Sequence, residues 1–74
     1  MEGSYIMIVY TARCLACSNK PLHRKLNEYA IQNKVKYEIR RTNLSKDFRE
    51  EAESYGVPLP FVVIDGAAKR IEDL

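Results

Sequence analysis

The chain has 74 residues, of which 46 % are hydrophobic, and its 12 basic and 10 acidic residues leave a formal charge of +2. This length suits one domain spanning 1–74, and the hydrophobic content argues against intrinsic disorder. A charge so close to neutral argues against nucleic acid as a partner, and no apolar run approaches the roughly 18 residues of a membrane span.

The start of the chain, Met1 to Ser4, lacks the basic and long apolar regions of a secretory signal. We therefore expect a cytoplasmic location, where thiols are mostly reduced. The first predicted element is a strand from Ser4 to Tyr10. Its run Ile6 to Val9 is apolar at consecutive positions, as in a central strand covered on both faces.

A pair of cysteines stands directly after this strand. Thr11 to Arg13 form a short loop at the carboxyl end of the strand, where function gathers in open α/β sheets. Cys14 and Cys17 follow, separated by two residues at the junction with a helical pattern. Two thiols at this spacing can form and break a disulfide locally, and a Cys-x-x-Cys at such a junction is typical of a redox site.

The helix after the cysteines is predicted from about Leu15 or Ala16 to Gln32, ended by Asn33-Lys34. Pro21 lies inside the pattern and removes one backbone donor, so we expect a kink near Cys17 or a first turn distinct from the rest. The apolar stripe of this helix recurs at helical spacing and comprises Leu22, Leu26, Tyr29 and Ala30.

A second strand and a second helix come next. Val35 to Arg40 alternate apolar and polar residues, which predicts a half-buried strand at the sheet edge, and the pair Arg40-Arg41 is interpreted as a solvated face. Ser45 is a suitable N-cap for a helix, with Asp47 in its first turn and Gly56 as its terminator. The predicted buried stripe of this helix is Phe48, Ala52 and Tyr55.

The last third of the chain is predicted to form a hairpin. Val57 to Pro60 lead into a short buried strand, Phe61 to Ile64, and Asp65-Gly66 is a type I′ turn signal. Ala67 to Ile71 form the return strand, and Glu72 to Leu74 form a brief tail. The predicted fold is therefore α/β, in the order β-α-β-α-β-β, with a four-stranded mixed sheet.

The chain resembles the glutaredoxin branch of the thioredoxin superfamily in three features. These are the order of its elements, the Cys-x-x-Cys after the first strand and the proline that opens the third strand. The resemblance implies a thioredoxin-like fold in which Cys14 attacks a disulfide and Cys17 resolves the mixed disulfide. It also implies a cis-proline that faces the dithiol, and Pro60 is the best match for this proline. The backbone of Leu59, just before it, is then expected to pair with the substrate. The family's Gly-Gly pair is absent, so the C-terminal helix is expected to be reduced or missing.

The resemblance also implies partners. Disulfide-containing proteins are the expected substrates, and glutathione is the expected reductant. The protein itself is expected to be a monomer without a bound cofactor. Arg13, Leu59 and the pair Glu72 and Asp73 could supply the contacts to glutathione. Tyr10 ends the first strand near the dithiol, where it either packs against substrate or belongs to the core.

The chemistry requires a thiolate, because only a thiolate attacks a disulfide. We expect Cys14 to be more exposed and more acidic than Cys17, with Arg13, the helix start and the thiol of Cys17 lowering its pKa. One alternative is a thioredoxin-type redoxin reduced by a flavoprotein reductase. Another is a non-enzymatic module that binds a metal or an iron–sulfur cluster through the same thiols. Structural zinc needs four ligands and only His23 remains as an extra, so no internal metal site is expected.

Overall fold

The computed structural model describes residues 6–74, so Ser4 and Tyr5 of the predicted first strand lie outside the described residues. Helices alternate with the first strands, and a hairpin closes the chain. The elements are β1 (Ile6–Thr11), α1 (Leu15–Ser18), α2 (Lys20–Asn33), β2 (Lys36–Arg41), α3 (Lys46–Tyr55), β3 (Phe61–Ile64), β4 (Ala67–Arg70) and a 3₁₀ turn (Ile71–Asp73).

The four strands form one mixed sheet in the order β2-β1-β3-β4. Strand β1 pairs in parallel with β2 and antiparallel with β3, and β3 pairs antiparallel with β4. The mixed four-stranded sheet, the central position of β1 and the edge position of β2 are therefore confirmed. The helices after β1 carry the chain across the sheet, which permits the parallel pair, whereas a tight turn joins the antiparallel hairpin.

The predicted interruption of the first helix is confirmed and lies at Asn19. This residue has a non-helical backbone (φ −148°, ψ 76°), and its side chain accepts a hydrogen bond from the backbone N–H of Leu22 at 3.3 Å. Pro21 follows in the first turn of α2, where a missing N–H leaves no hydrogen bond unmade. The cysteines therefore lie at a short helical turn of their own.

The predicted caps and turn are also confirmed. Ser45 accepts a hydrogen bond from the backbone N–H of Phe48 at 3.4 Å, and Gly56 ends α3 in the left-handed region with φ 68°. Asp65 and Gly66 have φ values of 56° and 82°, and two positive values in succession are the requirement of a type I′ turn. These features depend on a few neighbouring residues, which is why the sequence predicts them.

The sheet is covered on both faces. One buried cluster joins the sheet to α1, α2 and the 3₁₀ turn: Met7, Val9, Leu15, Leu26, Ala30, Val62 and Ile71. The other joins it to α3: Tyr10, Ala52, Phe61 and Val63. Tyr55, predicted to be buried, is 39 % exposed, although its ring lies 6.0 Å from that of Tyr10 and 5.8 Å from that of Phe61.

The predicted ends of three strands differ from the structure. Strands β1 and β2 each extend one residue farther than predicted, to Thr11 and Arg41, which are partners in the parallel register. Strand β4 ends at Arg70, one residue earlier than predicted. The next residue, Ile71, has a fully buried side chain and is the first residue of the 3₁₀ turn. This single turn stands where a C-terminal helix was expected to be reduced or missing. Within residues 6–74, no helix is long and apolar enough to cross a membrane.

Candidate active site

The two thiols lie within hydrogen-bonding distance of each other. Cys14 is the N-cap of α1, and its carbonyl accepts hydrogen bonds from the backbone N–H groups of Cys17 and Ser18 at 3.2 and 2.9 Å. These bonds bring the side chain of Cys17 back over Cys14, and its thiol donates to the Cys14 sulfur across 3.1 Å. Both cysteines are free thiols. The hydrogen bonds of this helical turn therefore hold the two sulfurs within reach of each other.

The surroundings make the two thiols unequal. The hydrogen bond from the Cys17 thiol is the largest cause that lowers the pKa of Cys14, followed by bonds from the backbone N–H groups of Cys17 and Ala16. The same hydrogen bond and the charge on Cys14 raise the pKa of Cys17. Because the two pKa values shift in opposite directions, Cys14 is the more acidic thiol, as predicted.

The prediction that Cys14 is also the more exposed thiol is wrong. Cys14 is half-buried, whereas Cys17 is exposed. The reason is Leu15, which is 3 % exposed and anchors α1 in the core. Successive side chains of a helix are rotated by about 100° around its axis. Because Leu15 points into the core, Ala16 and Cys17 point toward solvent. Cys14 is left at the point where the chain turns from the loop into the helix.

The cation that lowers the pKa of Cys14 is Arg41, not Arg13. Arg41 ends β2 beside Thr11, and its Nε atom is buried without a hydrogen-bond partner among the described residues. Sequence reasoning missed it by placing Arg40-Arg41 on a solvated face, which is wrong because both residues are half-buried. The predicted parallel pairing of β1 and β2 could have indicated that Arg41 lies near the cysteines, because the carboxyl ends of neighbouring parallel strands lie side by side.

An open cleft of about 280 Å³ lies between α1 and the segment before β3. The Leu59–Pro60 peptide bond at its edge is cis, as predicted. Within the described residues, the backbone of Leu59 makes no hydrogen bond to another backbone group, and its side chain is 41 % exposed. The cleft is lined by Thr11, Ala12, Arg13, Leu15, Ser18, Asn19, Leu59 and Pro60. It therefore brings together three of the predicted substrate contacts, which are Arg13, Leu59 and Pro60.

Tyr10 lies elsewhere, in the core on the α3 side of the sheet. It is 3 % exposed, its ring stacks on Phe61 at 5.2 Å, and its hydroxyl donates to Glu51 at 2.8 Å. Arg40 completes this network by donating to the same Glu51 carboxylate at 2.6 Å. Burial raises the pKa of Tyr10, so its phenol stays neutral. Of the two interpretations of Tyr10, the structure agrees with core packing.

Glu72 and Asp73 do not line the cleft beside the dithiol. Both are exposed in the 3₁₀ turn, where the carboxylate of Glu72 pairs with Arg70 and its carbonyl accepts from Lys25 Nζ at 2.5 Å. Burial of Ile71 is what sets the direction of this turn. These two acids are therefore not gathered with Arg13 and Leu59 at the candidate site.

Comparisons of the chain with protein-family models, curated proteins and solved structures find no match. In the part of the chain that the structure describes, no group of three or more His, Cys, Asp or Glu side chains could hold a metal ion. Membership of the glutaredoxin branch stays a prediction. The site combines a half-buried thiol of lowered pKa with an exposed thiol of raised pKa. Leu15 and Ser18 of the same helical turn line the cleft that Leu59 and Pro60 close on the other side.

Proposed function

We propose that this protein is a dithiol–disulfide oxidoreductase with a thioredoxin-like fold, similar to glutaredoxins, that reduces protein or glutathione mixed disulfides. The observation that supports this most is the 3.1 Å hydrogen bond from the Cys17 thiol to the Cys14 sulfur. One interaction supplies both things that the reaction needs, a stabilised thiolate and a second thiol within reach of it.

The reaction has two exchange steps. The Cys14 thiolate attacks one sulfur of the substrate disulfide, forms a mixed disulfide, and expels the other sulfur as a thiolate that takes a proton from water. Cys17 then loses its proton and attacks the Cys14 sulfur, which releases the second substrate sulfur and leaves a Cys14–Cys17 disulfide. The two electrons pass from the dithiol to the substrate.

The order of these steps follows from the pKa shifts. The charge and hydrogen bond of Cys14 raise the pKa of Cys17 in the free dithiol. Formation of the mixed disulfide removes that negative charge, so the pKa of Cys17 falls when its attack is needed. The exposure of Cys17 does not make it the first nucleophile, because its raised pKa leaves it with less of the reactive thiolate than Cys14 has.

The cleft between α1 and Pro60 seats the substrate in this proposal. The unpaired backbone of Leu59 offers hydrogen bonds to an extended peptide beside the reacting sulfur. Arg13 lines the same cleft and provides a cation for a carboxylate of the substrate or of glutathione.

Glutathione is the proposed reductant, bound weakly through Arg13 and Leu59. One observation favours the thioredoxin-type alternative with a flavoprotein reductase: Glu72 is paired with Arg70, and neither Glu72 nor Asp73 lines the cleft. Among the described residues, no acidic side chain lines this cleft to bind the amino group of glutathione.

Turnover of a model disulfide tests the proposal, with glutathione plus glutathione reductase compared with a thioredoxin reductase as electron source. The wild-type protein is expected to turn over with at least one system, Cys14→Ser is expected to be inactive, and Cys17→Ser is expected to accumulate a mixed disulfide detectable by mass. Ser54→Ala, at an exposed position of α3 that does not line the cleft beside Pro60, is the control for loss of a hydroxyl and should remain active. Activity that survives in Cys14→Ser would contradict the proposal.

A further inference from the structure

A second cleft lies on the other side of the dithiol loop. Its volume is about 520 Å³, and Ala12 is a wall residue of both this cleft and the one beside Pro60. Among the described residues, the charged side chains that line it are Lys46 and Arg49, and no carboxylate lines it. The remaining lining residues are Thr42, Asn43, Leu44 and Ser45.

The two cations in this second cleft are largely unneutralised. Lys46 is the first residue of α3, where the helix dipole disfavours a positive charge, and it makes no ion pair with another described residue. Arg49 is 63 % exposed, and its one ion pair, with Glu53, is long at 3.9 Å. Neither charge therefore has a strong role in the stability of the fold.

A third, smaller cleft lies between Arg49 and Leu59. It has a volume of about 190 Å³, and both Arg49 and Leu59 line it, together with Glu53. Leu59 also lines the cleft beside the dithiol. The apolar side chains of Leu44 and Leu59 are 70 % and 41 % exposed. Shared wall residues thus join the three clefts: Ala12 and Leu59 belong to the cleft beside Pro60, and Arg49 belongs to the other two.

We propose that the surface formed by these three clefts binds a polypeptide substrate whose disulfide cysteine is flanked by acidic residues, with Lys46 and Arg49 as its anion-binding residues. The inference rests on the proposed function and adds the class of its substrate. An extended chain advances about 3.3 Å per residue, so carboxylates a few residues from the cysteine would reach the two cations while the segment at the cysteine pairs with Leu59. Leu44 would pack against an apolar side chain of the same segment.

The test uses two peptides of equal length, each with one cysteine joined by a disulfide to a neutral thiol. Aspartates flank the cysteine in one peptide and serines in the other. The wild-type protein is expected to reduce the acidic peptide with the higher kcat/KM, by about threefold or more at low salt, and the preference should shrink as the ionic strength rises. Lys46→Gln/Arg49→Gln should lose the preference and keep its rate with the serine peptide.

The matched control is Lys36→Gln/Lys69→Gln, which removes the same charge from the outer strands β2 and β4. This control variant should keep the preference for the acidic peptide. If both double variants lost that preference equally, only the net charge of the protein would matter, and the proposed site would be overturned. Equal rates of the wild-type protein with both peptides would overturn it as well.

Binding separates this inference from the redox proposal. The acidic peptide with serine in place of cysteine is titrated into the wild-type protein, and backbone amide shifts are followed. Shifts at Lys46, Arg49 and Leu59 would support the surface even if no disulfide were reduced. Shifts absent from these residues would overturn it even if reduction proceeded.

Discussion

The end of the sheet that carries the dithiol and the end that carries the Asp65-Gly66 turn are built differently. At the dithiol end, cations line two clefts, the backbone of Leu59 is unpaired, and both thiols are reachable. At the turn end, a tight hairpin closes β3 onto β4, and a cleft of about 220 Å³ is lined mainly by apolar side chains: Ile6, Met7, Tyr29, Val35 and Ile64, with Asn33 and Asp65.

This difference separates reactivity from stability. The groups proposed to react or bind lie at the dithiol end, where the carboxyl ends of β1 and β2 meet. The turn end holds a conformational constraint, because Asp65 and Gly66 both have positive φ. Substitutions at the first end should therefore change thiol chemistry, and those at the turn or in the core should change the free energy of unfolding.

The largest expected effect concerns the two thiols. Cys17→Ala removes the donor that does most to lower the pKa of Cys14, so less thiolate is present at mildly acidic pH. Hydrogen bonds to charged groups are strong enough that Cys14 should be alkylated about tenfold more slowly there. In the wild-type protein, the rate should rise with pH as Cys14 ionises, and peptide mapping should find Cys14 labelled before Cys17. Labelling of Cys17 first would contradict the assignment of Cys14 as nucleophile.

The next effect is expected at the opposite end of the sheet. A Cβ atom at Gly66 would meet nothing within 4 Å, so Gly66→Ala tests only the cost of φ 82° for an L-residue. Thermal unfolding should show a loss of about 1 kcal/mol, or a midpoint lower by about 4–8 °C. Disulfide reduction measured well below the midpoint should be unchanged. A large loss of activity in the folded variant would break the separation of the two ends.

Tyr10→Phe distinguishes core from substrate contact at the dithiol end itself. The phenol hydroxyl donates to Glu51, so its removal should lower the free energy of unfolding by about 1 kcal/mol. Turnover should not change, because Tyr10 is buried away from the cleft. A raised KM for a peptide disulfide without a loss of stability would instead place Tyr10 in the substrate site.

The smallest effect is expected for Arg41→Met. Its charge is the last of the causes that lower the pKa of Cys14, so the alkylation profile should move slightly toward higher pH, with a rate about twofold lower at mildly acidic pH. Stability should not fall, because the substitution removes a buried Nε atom that has no partner among the described residues. Arg13→Met is the matched control and should leave the profile in place. A shift of the alkylation profile in Arg13→Met, with no shift in Arg41→Met, would instead identify Arg13 as the cation that lowers the pKa of Cys14.

The sequence by itself determined most of the local structure. The N-cap Ser45, the terminator Gly56, the turn Asp65-Gly66 and the helix break ahead of Pro21 each depend on hydrogen bonds or φ preferences of adjacent residues. The order of the elements followed from hydrophobic periodicity, and the spacing of Cys14 and Cys17 was sufficient to predict a thiol pair within reach.

Tertiary structure decided which residues surround that pair. Burial of Leu15 turned Cys17 rather than Cys14 toward solvent, and the parallel register of β1 and β2 brought Arg41 to the dithiol end. Stacking on Phe61 placed Tyr10 in the core, and burial of Ile71 directed Glu72 away from the cleft. Each of these outcomes depends on contacts between distant segments, and a pattern of neighbouring residues does not specify which face of a packed element another segment will cover.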